Sequence, residues 1–144
     1  RICIARALAP QPKLIIADES IAALDVSVQA RVLALLEELQ AEFKLAYLFI
    51  SHDMAVVENI SNRIAVMYLG QIVEMGTRDQ VFTAPQHPYT RKLIEAVPQP
   101  DPVAKRHTFP RLEGEILSPV HALGSGPARV ELLDAGDGHL YAAH

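Results

Sequence analysis

The chain holds a single cysteine, Cys3, among its 144 residues. One thiol excludes an internal disulfide framework and any metal site built from several cysteines, and it fits a reducing compartment. No apolar run approaches the ~18 residues of a membrane-spanning helix, and no secretory signal is visible at the start. The sequence therefore reads as soluble by itself. A basic surplus is lacking as well: 13 Lys and Arg stand against 17 Asp and Glu, which argues against a nucleic-acid surface. The local cluster Lys105-Arg106-His107 is short and reads as solvated loop.

Half of the residues are hydrophobic, enough for one ordinary domain with a real core rather than a disordered chain. The pattern is organised around Leu14-Ile15-Ile16-Ala17-Asp18-Glu19. Four apolar residues running into two carboxylates describe a strand, from about Lys13 to Ala17, covered on both faces as in a parallel sheet. Ligands of such sheets bind just beyond the strand ends. Two carboxylates there invite a compensating cation or polar substrate; the plainer alternative is that Asp18 caps a turn and Glu19 is solvated surface.

Before this strand, Ile2 to Ala9 reads as a helix already under way, with apolar residues at 2, 4, 5 and 8, stopped by Pro10-Gln11-Pro12. With Arg1 in place of a methionine, the sequence reads as a fragment. After Glu19 comes a short connection, and from Val26 the apolar positions Val28, Val32, Leu35, Leu36 and Leu39 predict an amphipathic helix of about four turns. Asp25 or Ser27 is its candidate N-cap. Leu45 to Ile50 is a second apolar strand, and it also ends in polar residues, Ser51-His52-Asp53. A strand, helix, strand unit of this kind is a right-handed parallel crossover, so Asp18, Glu19 and His52 are expected at one sheet edge. A histidine after a strand is often no more than a satisfied polar residue, and only its place opposite the carboxylates favours chemistry.

Asp53 is expected to cap a short helix through Ile60, and Arg63–Tyr68 with Gln71–Met75 to form a hairpin around Leu69-Gly70. Thr77 is the candidate N-cap of a helix over Arg78 to Thr83. From Ala84 the composition changes. Proline recurs at Pro85, Pro88, Pro98, Pro100, Pro102, Pro110 and Pro119, which predicts an appendage of extended chain with one helix over Tyr89 to Ala96. Tyr89, Leu93 and Ile94 would pack it on the domain, although a regulatory role is the other reading.

Taken together these residues resemble the carboxyl-terminal portion of the ATP-binding subunit of an ABC transporter, in the oligopeptide and dipeptide importer family. Leu14 to Glu19 matches the Walker B strand and its following glutamate. Ala23-Leu24-Asp25 resembles the D-loop, Ser51-His52-Asp53 the switch-histidine motif, Tyr68 to Gly76 the hairpin after it, and Arg1 to Leu8 the helix after the signature sequence. His87-Pro88-Tyr89-Thr90, Ala96-Val97-Pro98 and Pro100-Asp101-Pro102 are similar to the extension of the peptide importers. Each piece alone is weak; their order and spacing are specific.

The resemblance implies an α/β fold: the later part of a P-loop NTPase domain over residues 1–84, with parallel core strands and crossover helices, then a proline-rich extension over 85–144. It implies ATP and Mg2+ as ligands. Asp18 would act on magnesium through a coordinated water, Glu19 would take the proton of the attacking water, His52 would bond the terminal phosphate, and Asp25 would stand by the nucleotide at a subunit interface. The implied partners are a second ATP-binding subunit, membrane permease subunits and, indirectly, a solute-binding protein, at the cytoplasmic face of the bacterial inner membrane. Peptides are the leading solute class, with nickel, glutathione or sugar-like solutes in related importers.

Departures qualify these expectations. Ser20 and Ala22 stand where the family often has proline and serine. The segment Gly114-Glu115-Ile116-Leu117-Ser118-Pro119 is not followed by the cysteines many peptide importers carry, so no iron–sulfur cluster is expected, and the ending Leu132 to His139 resembles other cysteine-free termini. The 144 residues contain neither the G-x-x-x-x-G-K-S/T phosphate loop nor a Leu-Ser-Gly-Gly-Gln signature. By themselves they are expected to bind ATP poorly and hydrolyse none. The competing classes are a non-hydrolytic ABC segment with an interaction role and a soluble ABC ATPase outside transport.

Overall fold

Asp53 shows how local chemistry sets the elements of this protein. Its carboxylate accepts the backbone N–H groups of Ala55 and Val56, satisfying donors that the first turn of a helix leaves unpaired. In the computed structural model, which describes residues 2–97 and 129–143, this cap starts helix α3 (Met54–Ile60). The chain divides into two compact units, residues 1–61 and 62–144.

The first unit holds α1 (Ile2–Leu8), β1 (Leu14–Asp18), α2 (Val26–Phe43), β2 (Ala46–Ile50) and α3. β1 and β2 pair in parallel, with Ile16 opposite Leu48 and Asp18 opposite Ile50, so the two strands end together. Successive side chains alternate between faces. Ala17 is buried and Ile15, Tyr47 and Phe49 are partly so, whereas Leu14, Ile16, Leu48 and Ile50 are exposed. The expected cover on both faces is therefore absent among the described residues. Full apolarity signals a strand destined for two covers, and this unit supplies one.

α2 begins after Asp25, whose carbonyl accepts the N–H groups of Val28 and Gln29 at 2.8 Å while its side chain makes no capping bond. Of its expected apolar row, Val32, Leu35, Leu36 and Leu39 are buried or half-buried and Val28 is exposed, while Gln29 and Leu33 are half-buried as well. It ends at Lys44, in the left-handed conformation common at helix C-termini. α1 buries no side chain fully, and its partly covered residues are Ile4, Ala7 and Leu8.

In the second unit β3 (Arg63–Tyr68) and β4 (Gln71–Thr77) form the expected hairpin. Leu69 and Gly70 both take positive φ, 48° and 79°, as a two-residue turn matched to strand twist requires. Thr77 then caps α4 (Arg78–Thr83): its hydroxyl accepts the Gln80 N–H, and the Gln80 side chain accepts the Thr77 N–H. α5 (Pro88–Glu95) has proline at its first turn and His87 as its cap. Tyr89 stacks on Tyr68 with ring centroids 4.3 Å apart.

The sequence reading places no strand in the terminal segment, yet β5 (Leu132–Asp134) and β6 (Leu140–Ala142) complete a four-stranded sheet in the order β3-β4-β6-β5. These three-residue strands are too short for periodicity to reveal; pairing defines them, β6 against β4 and β5 against β6. The boundary expected at 84/85 falls at the end of α4, inside this second unit. The basic cluster Lys105-Arg106-His107, the prolines from Pro98 to Pro119 and the Gly114 to Pro119 segment lie outside the described residues. No helix among the described residues is long and apolar enough to cross a membrane.

Candidate functional site

The site is built where β1 and β2 end. Past Asp18 the chain turns sharply: Glu19 has φ of 42°, in a region that non-glycine residues seldom occupy and that costs free energy to hold. Its backbone N–H donates to the Ile50 carbonyl at 2.9 Å, which carries the pairing of the two strands one residue beyond their ends. On the other strand, the Ser51 hydroxyl accepts the Asp53 N–H and Asp53 caps α3. His52 is held between these two anchors.

The outcome is a direct contact. His52 Nδ1 lies 3.0 Å from Glu19 Oε1, across 33 positions of sequence. Both side chains are exposed. The hydrogen bond to Glu19 raises the His52 pKa above its ordinary value, the Glu19 charge adds to this, slight desolvation opposes it, and Asp53 contributes a smaller upward pull. A carboxylate and an imidazole so placed can orient a water and exchange a proton.

Asp18 is exposed at the same strand end, and Asp25 is exposed at the start of α2; neither bonds to the pair. Among the described residues no three His, Cys, Asp or Glu side chains gather as a metal cluster. A divalent ion here would rest on Asp18 together with water and substrate oxygens. That donor set suits magnesium, a hard cation that keeps several waters and takes one or two carboxylates.

Apolar periodicity does not single out Gln29. Its side-chain N–H donates to the Ile21 carbonyl at 3.0 Å, inside the connection between Glu19 and Asp25. The available signal was a polar residue at helical spacing from Val32, Leu33 and Leu36. The second unit carries a separate cavity of about 310 Å³ with Tyr68, Tyr89 and Lys92 in its wall, and none of the four candidate residues lines it.

The chain is similar to known proteins over its whole length. Residues 73–126 match the family model described as "Oligopeptide/dipeptide transporter, C-terminal region". Over its whole length the chain is 57% identical to the glutathione import ATP-binding protein GsiA of Pectobacterium atrosepticum, covering 100% of this chain and 23% of that protein. The same protein of Escherichia coli is 57% identical over 142 residues, and that of Salmonella choleraesuis 59%; each match covers 99% of this chain and 23% of the relative. The chain thus spans about a quarter of the length of the curated relatives it matches. By these matches the chain resembles a segment of the ATP-binding proteins of ABC importers, and residues 73–126 resemble the carboxyl-terminal region of oligopeptide/dipeptide transporters.

Proposed function

We propose that Glu19 and His52 form the hydrolytic pair of an ATP-binding subunit that energises uptake through an ABC importer. The observation that carries this reading is the 3.0 Å contact between a strand-end carboxylate and a strand-end imidazole, in a chain similar to importer ATP-binding proteins. Residues 1–84 would be the part of the subunit that meets nucleotide, and 85–144 the importer-type extension.

In phosphoryl transfer the protein mainly positions reactants and compensates charge. Glu19 orients the attacking water and accepts its proton, a task that contributes about 10²–10⁴ in rate. His52, held by Glu19, presents its other ring nitrogen toward the terminal phosphate. Magnesium, when bound, neutralises phosphate oxygens; Asp18 would hold it through a coordinated water. Asp25 would face the nucleotide at the junction with a second ATP-binding subunit. Membrane permease subunits and, through them, a solute-binding protein are the further partners. Such a subunit sits peripherally at the cytoplasmic face of the inner membrane, and nucleic acid has no part in it.

The phosphate loop and signature are not among these 144 residues, so activity belongs to the longer protein and the isolated chain is expected to be inactive. A small peptide is the proposed cargo. The name of the relatives favours glutathione, itself a short peptide, and the family model favours oligopeptides or dipeptides. Vesicles containing the full-length protein and its permease, offered labelled glutathione and a labelled dipeptide, test this. ATP-dependent uptake of one of them is expected, with a reduced rate in His52→Ala; uptake that is independent of ATP would overturn the reading.

A further inference from the structure

We infer that Gln29 is a positioning residue for the hydrolytic site, acting as a clamp on the loop that joins Glu19 to Asp25. The inference rests on the proposed role of Glu19. Its basis is a double grip by one residue. The Gln29 backbone N–H donates to the Asp25 carbonyl at 2.8 Å, and its side-chain amide donates to the Ile21 carbonyl at 3.0 Å. Both ends of the segment 21–25 are thus tied to the first turn of α2.

The loop needs such a tie. Glu19 takes a costly positive φ, and its carbonyl accepts only a long bond from the Ala22 N–H, at 3.3 Å. The Ile21 side chain is 2% exposed, so an unpaired carbonyl beside it would be expensive. Leu24 N–H supplies one partner at 3.1 Å and Gln29 supplies the second, filling both acceptor positions of that carbonyl. This explains a polar residue on a row otherwise occupied by Val32, Leu33 and Leu36. It also links both loop-borne carboxylates to one side chain, since Glu19 lies two residues before Ile21 and Asp25 four residues after it.

The chemical requirement is a donor of that length. In the full-length ATP-binding protein, Gln29→Met removes the donor and keeps the shape, Gln29→Glu replaces it with an acceptor facing a carbonyl, and Gln29→Lys keeps a donor. For Gln29→Met and Gln29→Glu we expect kcat to fall about three- to tenfold, the range of one lost hydrogen bond, with KM for ATP unchanged. Hydrogen exchange should quicken at the Ala22 and Leu24 amides and stay constant in β1 and β2. Gln29→Lys should recover part of the loss. If Gln29→Met does not fold, Gln29→Glu carries the test alone. Wild-type kcat in the donor-free variants overturns the inference, as does a Gln29→Lys variant no better than them with exchange quickened throughout β1 and β2. Glu19→Gln, made in parallel, separates the two readings: if it abolishes turnover while the Gln29 variants are normal, only the clamp fails, and if it keeps turnover, the site assignment fails and takes the clamp with it.

Discussion

His139 Nε2 lies 2.7 Å from Glu74 Oε1, a buried contact that joins residues 65 positions apart. Glu74 is 0% exposed. Its two oxygens also accept the backbone N–H groups of Gln86 and His87, so one carboxylate binds β4, the segment before α5, and the approach to β6. Burial pushes its pKa upward. The Thr90 hydroxyl beside it, the Gln86 and His87 amides and His139 outweigh that and hold it below the usual carboxylate range.

A lowered native pKa fixes the sign of the pH effect. The contribution of Glu74 to folding is fully present above the unfolded carboxylate value, about 4.3, and is lost as pH falls through the lower native value. Glu74→Gln should cost the second unit about 3 kcal/mol at neutral pH, because buried donors lose their acceptor, and should flatten the acid limb of the stability curve. Urea unfolding at several pH values checks this; an unchanged acid limb would remove Glu74 from that role.

Gly76 stands between this contact and the Thr77 cap. A Cβ there would lie 3.0 Å from both Gln80 Oε1 and His139 Cδ2, so Gly76→Ala must displace a capping side chain or the buried imidazole. A destabilisation of about 1–3 kcal/mol is expected, seen as a lower urea midpoint. Wild-type stability would mean that both neighbours yield freely.

The raised pKa of His52 can be read directly. Its contribution to the contact is complete below the unfolded value of about 6.5 and is lost as pH rises through the higher native one. Proton NMR should show His52 titrating above the ordinary range, and Glu19→Gln should bring it back toward that range, since Glu19 supplies the larger causes. A titration indifferent to Glu19 would mean that the two groups do not interact in solution.

Much of the site was legible because its elements announce themselves locally. Asp53 and Thr77 are N-caps by residue type and position, Leu69-Gly70 is a turn, and two apolar runs ending in polar residues imply a shared edge. That logic placed Glu19 near His52 through the parallel pairing of β1 and β2. It could not find Gln29, whose partner is a backbone carbonyl without sequence identity. Nor could it see that Glu74, one charge within an apolar strand, awaited His139, because short strands such as β5 and β6 exist only through what they pair with. The exposed face at Leu14, Ile16, Leu48 and Ile50 marks the opposite case: the sequence reads as covered on both sides, and the described residues cover one.

The most direct measurement is ATP turnover and ATP binding by the full-length protein with Glu19→Gln. A proton-accepting Glu19 predicts retained nucleotide binding with turnover reduced by about 10²–10⁴. Turnover at the wild-type rate would contradict the assignment of the Glu19–His52 pair as the hydrolytic centre.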